Sequence, residues 1–217
     1  MILETRAVPP FMKNGFVLGC EATREGVVID PGDDVDLLLA AVERHALHVN
    51  AILLTHAHLD HVTGVARAKE ILKVPVWLHQ ADNFLYEAVV QQGMMFGLRV
   101  EPQPGVDRFY EPGEILRFGE YEIAVHHTPG HCPGGVALAI SGDPRTQGPT
   151  DRRILIVGDT LFAGGIGRTD LPGGDMETLL RSIREVLFSF PDGTPVYSGH
   201  GEVTTIGREK ATNPFLV

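Results

Sequence analysis

Within six consecutive positions, His56-Ala57-His58-Leu59-Asp60-His61, this chain sets three imidazoles and a carboxylate, straight after Thr55 and the apolar run Ala51-Ile52-Leu53-Leu54. A solvated loop has little use for three histidines so close together, whereas imidazole with carboxylate suits zinc, manganese or ferrous iron. The fold must therefore present this segment at the end of a buried strand. If further ligands lie downstream, it is the first half of a two-metal site, and the chain is an enzyme.

Three later places carry ligand-type residues, and each also follows a strand-like run. His131 follows Tyr121 to His127, Asp159 follows Ile154 to Val157, and His200 follows Pro195 to Tyr197. Residues just past strand ends converge on one rim of a sheet, where open α/β folds place their sites. The seven ligands make chemical sense as two sites sharing a bridge. His56, His58 and His131 hold a first metal and leave a position for water, while Asp60, His61 and His200 hold a second. Asp159 bridges, because a carboxylate has two oxygens and an imidazole cannot bridge without losing a proton. Two ions about 3.5–4 Å apart bring the pKa of a shared water from ~15.7 toward ~7. The resulting hydroxide attacks a carbonyl, with Asp60 placed to orient it, so Asp60 and Asp159 are the expected catalytic carboxylates.

Short apolar runs alternate with helical periodicity, which predicts an α/β protein with helices covering sheet faces. Strands are expected at residues 2–8, 16–20, 26–29, 51–54, 74–78, 115–118, 121–127, 136–140, 154–157 and 195–197. Helices are expected at 34–46, 62–72, 80–95 and 176–188, with Asp33 or Asp34 capping the first and Asp175 the last. The polar stretch from Ser141 to Arg153 reads as an exposed loop between strands, so residues 1–217 are expected to form a single domain.

The remaining histidines have plainer readings: His45 and His48 as polar surface at a helix end, and His79 and His127 as support for the ligands at most. His126 is expected to point away from whatever His127 faces. Asp30, at a strand end in Ile29-Asp30-Pro31-Gly32, either supports the ligands or shapes a turn. With only Cys20 and Cys132, no disulfide framework is implied, and Cys132 reads as a small buried residue beside a ligand. The start Met1-Ile2-Leu3-Glu4-Thr5-Arg6 lacks the pattern of a signal peptide, and no apolar run approaches the roughly 18 residues of a membrane span. A cytoplasmic setting is expected. The formal charge of −10 argues against nucleic-acid partners.

The order His-X-His-X-Asp-His, glycine-flanked His, Gly-Asp and final Gly-His resembles the metallo-β-lactamase superfamily, from Ile29-Asp30-Pro31-Gly32 to the C-terminus. That resemblance implies a four-layer αββα sandwich with two metal ions, zinc first and iron or manganese as alternatives. Gly158-Asp159-Thr160-Leu161-Phe162, Gly165-Ile166-Gly167-Arg168-Thr169-Asp170 and the ending from Thr204 to Phe215 are similar to the short bacterial glyoxalase II-like (hydroxyacylglutathione hydrolase-like) group. The implied activity is hydrolysis of a small-molecule thioester, such as S-lactoylglutathione, by a metal-bridging hydroxide. The chain stops short of the C-terminal helical region that full glyoxalase II carries. Where that enzyme places a Lys and a Tyr for glutathione, this chain has Arg168, which can bind a substrate carboxylate, and Asp170.

Two alternatives stand beside the thioesterase reading. One is an iron-dependent persulfide dioxygenase of the same fold, whose single ion the resemblance would assign to His56, His131 and Asp159. The other is a metal-binding module without catalysis. A β-lactamase ranks lower because of the expected cytoplasmic setting.

Overall fold

The computed structural model describes residues 1–111, 113–145 and 153–217, which form two compact units. The first comprises Met1–Tyr110 with Phe118–Glu120. Its strands are β1 (Ile2–Val8), β2 (Lys13–Gly19), β3 (Glu25–Ile29), β4 (His48–Leu53), β5 (Val76–Leu78) and β6 (Arg108–Phe109), hydrogen-bonded in that order in one sheet. β1 to β3 pair antiparallel, whereas β3 to β6 run parallel, so the last four strands end on one edge. Parallel strands covered on both faces are apolar throughout, which is why Val27-Val28-Ile29 and Ala51-Ile52-Leu53 read as continuous runs and are all buried.

The helices of this unit are α1 (Val35–Arg44), α2 (Leu59–Val62), α3 (Val65–Leu72), α4 (Asn83–Glu87) and α5 (Val89–Met95). α1 buries Val35, Leu38, Ala41 and Val42, one face at helical spacing, the last three against Val17, Val28 and Leu47. Leu38 is fully buried. Truncating such a leucine to alanine costs about 2–5 kcal/mol, so this stripe is what holds α1 on the sheet.

The second unit takes the described residues from Glu111 to Arg117 and from Tyr121 to Val217. It holds β7 (Ile115–Phe118), β8 (Tyr121–His127), β9 (Val136–Gly142), β10 (Ile154–Ile156), the hairpin β11 (Leu161–Phe162) and β12 (Gly165–Ile166), α6 (Met176–Glu185), β13 (Pro195–Tyr197), β14 (Thr204–Thr205) and α7 (Ile206–Thr212). The sheet order is β14-β13-β10-β9-β8-β7. β8 and β10 are both antiparallel to β9, and β13 is parallel to β10, so β8, β10 and β13 point the same way. Leu179 and Ile183 of α6 pack with Leu155, Val157 and Val196 of the sheet.

Every expected strand is present, with ends shifted by three residues at most, and the differences lie in the helices. The expected helix at 62–72 is two helices, because Thr63-Gly64 interrupts it and Gly64 donates instead to the Pro31 carbonyl at 2.9 Å. The one at 80–95 is a 3-10 turn (Gln80–Asp82) followed by α4 and α5, and the one at 176–188 stops at Glu185 before a second 3-10 turn. Asp175 caps α6 as expected, accepting from the Thr178 N–H at 2.8 Å. The expected cap of α1 is not made: the Asp34 carboxylate instead takes Lys13 Nζ at 2.9 Å and the Gly32 N–H at 3.0 Å. Of the loop expected from Ser141 to Arg153, Ser141 and Gly142 still belong to β9, and residues 146–152 lie outside the described residues. Among the described residues no helix is long and apolar enough to cross a membrane.

Candidate metal centre

In the first unit the histidine-rich segment leaves the C-terminal end of β4 and forms the turn into α2. Its three imidazoles are buried and crowded, with the His56 ring centroid 4.9 Å from that of His58 and 4.0 Å from that of His61. Asp30, at the end of the neighbouring strand β3, organises them. Its fully buried carboxylate accepts from the Thr55 N–H at 2.7 Å, the Thr55 hydroxyl at 2.6 Å and His61 Nδ1 at 2.9 Å.

Those contacts fix the tautomers. A carboxylate only accepts, so His61 carries its proton on Nδ1 and presents a lone pair at Nε2. The Thr55 hydroxyl has spent its proton on Asp30, so toward His56 Nδ1, 3.1 Å away, it acts as acceptor, and His56 presents Nε2 as well. A buried partner on the far nitrogen is what orients a metal-binding imidazole. Asp30 thus orients two of the candidate ligands, His61 directly and His56 through Thr55.

The backbone of the same segment is held by residues that sequence reasoning did not single out. Asp82 accepts from the Ala57 N–H at 3.1 Å, and the Gln92 side chain accepts from the Leu59 N–H and donates to the Ala57 carbonyl, each at 3.0 Å. Lys13, buried at the start of β2, donates to the Asp30 carbonyl and pairs with Asp34. A β-carbon on Gly32 would lie 1.9 Å from the Asp60 carbonyl oxygen, so only glycine lets this loop lie against α2. Lys13 and Gln92 carry no motif. A buried cation and a buried amide become informative only once their partners are known.

In the second unit His131, Asp159 and His200 follow β8, β10 and β13, the three strands that share a direction, and they meet. Asp159 Oδ2 lies 3.7 Å from His131 Nε2 and 3.4 Å from His200 Nε2. In the first unit Asp60 Oδ2 is 3.8 Å from His61 Nε2. These separations exceed a good hydrogen bond. Ligand atoms on one tetrahedral ion with bonds near 2.0–2.1 Å lie roughly 3.3–3.5 Å apart; the Asp159–His200 pair falls in that range and the other two lie slightly beyond it, so the donor chemistry fits a shared cation once those side chains close in. One oxygen, Oδ2, is near both imidazoles.

His131 Nδ1 donates to the Arg168 carbonyl at 2.7 Å, which leaves Nε2 as the donor atom here too. Gly167 makes this possible: a β-carbon there would sit 2.0 Å from the Asp159 carbonyl oxygen and 3.1 Å from His131 Cβ and Cγ. The Arg168 side chain is exposed and bound bidentately to Asp170, with both contacts at 2.7 Å. That guanidinium holds the Asp170 carboxyl down at about 2.

The other histidines keep plain roles. His79 accepts from the Ala81 N–H, His127 bonds the Pro133 carbonyl, His126 meets the Phe190 ring edge, and His45 pairs with Glu4. Cys132 is fully buried, packed near Gly135.

A family model described as the metallo-beta-lactamase superfamily matches residues 8–200. The hydroxyacylglutathione hydrolase GloC of Haemophilus influenzae is 36% identical over 100% of this chain and 98% of its own length. Among solved structures, the BLEG-1 B3 metallo-beta-lactamase matches with a TM-score of 0.87 at 35% identity, covering 100% of both chains. TTHA1623, solved in a di-iron-bound form, matches at 0.84 and 40% identity over 98% of this chain and 100% of its own. ETHE1 from Myxococcus xanthus matches at 0.76 and 27% identity, covering 99% and 84%. The chain belongs to the metallo-β-lactamase superfamily and has the α/β fold of that family.

Proposed function

We propose that the chain is a metal-dependent hydrolase that cleaves a small-molecule thioester, with two divalent ions, zinc in the first instance. His56, His58 and His131 would hold one ion, Asp60, His61 and His200 the other, and Asp159 both. The observation that supports this most directly is the commitment of Nδ1 in His56, His61 and His131 to Thr55, Asp30 and Arg168. It leaves each Nε2 as a neutral donor, and those of His61 and His131 lie near Asp60 and Asp159 at more than hydrogen-bonding distance. Iron in place of zinc is supported by the likeness to the di-iron TTHA1623, and the thioester substrate by the likeness to GloC.

Bound ions supply two things: a water acidified toward a pKa of about 7, and positive charge for the oxyanion that develops on the carbonyl. The chain's residues do the rest. Asp60 orients the attacking water and accepts its proton, a task its carboxylate performs when held close and ionised. Asp159 Oδ2, near both His131 and His200, is placed to share an ion with either imidazole. Arg168 can take a substrate carboxylate bidentately, provided it exchanges Asp170 for the substrate.

Metal analysis on anaerobically purified protein, paired with assays on S-lactoylglutathione, glutathione persulfide and a β-lactam, tests the reading. Two metals per chain with thioester cleavage, lost in Asp159→Ala, is the expected outcome. One iron per chain with oxygen uptake on the persulfide, or cleavage of the β-lactam alone, would overturn it.

A further inference from the structure

Glu209 lies on α7, outside every ligand motif, and is fully buried. Its carboxylate accepts from the Thr204 hydroxyl at 2.5 Å, the Gly164 N–H at 2.9 Å and Asn213 Nδ2 at 2.8 Å. Asn213, also fully buried, gives its other amide hydrogen to the Gly165 carbonyl at 3.0 Å. Two side chains of the C-terminal segment thus grip both backbone groups at the tip of the β11–β12 hairpin. The next residues out of that hairpin are Gly167, which lies against Asp159 and His131, and Arg168, whose carbonyl accepts the His131 Nδ1 proton.

We propose that Glu209 and Asn213 are positioning residues for the metal centre. By fixing the hairpin they fix the Arg168 carbonyl, and through it the tautomer and ring orientation of His131. The geometry is specific to these two atoms of the hairpin. Thr205, which caps the same helix by accepting from the Arg208 N–H at 3.2 Å, holds α7 together through a bond within the helix itself. The inference rests on the assignment of His131 as a ligand, so its test needs a readout that survives without metal.

Three variants serve: Glu209→Gln, Asn213→Ala and, as a control for loss of helix stability alone, Thr205→Ala. In the metal-free protein, nitrogen-15 NMR of the imidazoles reads the His131 tautomer directly. The expected result is the Nδ1–H form in the natural chain and in Thr205→Ala, and a mixture of tautomers in Glu209→Gln and Asn213→Ala. In the zinc-loaded protein, chelator competition is expected to show 10–100-fold weaker binding of one of the two ions in the same two variants, with the other ion little changed. An unchanged tautomer in both hairpin variants overturns the inference, as does a change in Thr205→Ala of the same size as theirs. A natural chain that binds neither zinc nor iron would defeat the proposed function, yet the tautomer comparison would still decide this point.

Discussion

Asp30 gathers two Thr55 donors and His61 onto one buried carboxylate. In Asp30→Asn an amide NH₂ must face at least one of those donors, leaving buried polar groups mismatched. A loss of about 1–3 kcal/mol in urea unfolding is expected, with metal affinity lowered about 10–100-fold by chelator competition. Wild-type affinity in this variant would refute the orienting role. At Gly167 the problem is space, since a methyl group collides with the Asp159 backbone. Gly167→Ala should cost about 1–3 kcal/mol and release metal, and a fully loaded, stable variant would contradict it. Residues of this kind differ in how far sequence reveals them. The candidate ligands are legible because side chains of one chemistry recur after apolar runs. The Arg168 contact to His131 is not, because a backbone carbonyl has no side-chain signature.

Among the elements, edge strand β1 is tied to α1 through Glu4, which bonds Arg44 and His45, each at 2.7 Å. The His45 bond first, and then Arg44, holds the Glu4 carboxyl at about 2, below its ordinary 4.5. A depressed carboxylate contributes stability that is present above its unfolded value and lost as pH falls through the folded one. Glu4→Gln should therefore unfold at lower urea than the natural chain at pH 7, with the gap closing between about pH 4.5 and 2. A gap that persists at pH 2 would rule out this linkage. Strands were legible because burial on both faces writes continuous apolar runs. The two-residue strands β6, β11, β12 and β14 are too short to show any period, and the sequence from Thr204 to Phe215 is legible only as a family-like ending. The helix break at Gly64 follows from its tertiary bond to the Pro31 carbonyl, which a 3.6-residue pattern does not encode.

For the molecule as a whole, any ligand that binds only the folded chain raises stability by mass action, by ~4 kcal/mol at a thousand times its dissociation constant. Zinc loading should then raise the Tm by roughly 10 °C for a chain of this size, read by calorimetry with and without chelator. Identical transitions would show that the native state binds no zinc. The family was legible at this scale because the order of ligands along 145 residues, from His56 to His200, is itself a pattern. Substrate was not, since Arg168 and Asp170 occupy each other on the surface.

The bonds that Asp30, Asp82 and Gln92 make to the histidine segment join protein to protein and contain no ion. Their consequence is kinetic. Ion capture would start from a loop already closed, limited by how fast a hydrated cation sheds water rather than by chain ordering. The amide hydrogens of Thr55, Ala57 and Leu59 would accordingly exchange slowly with deuterated solvent even after chelation.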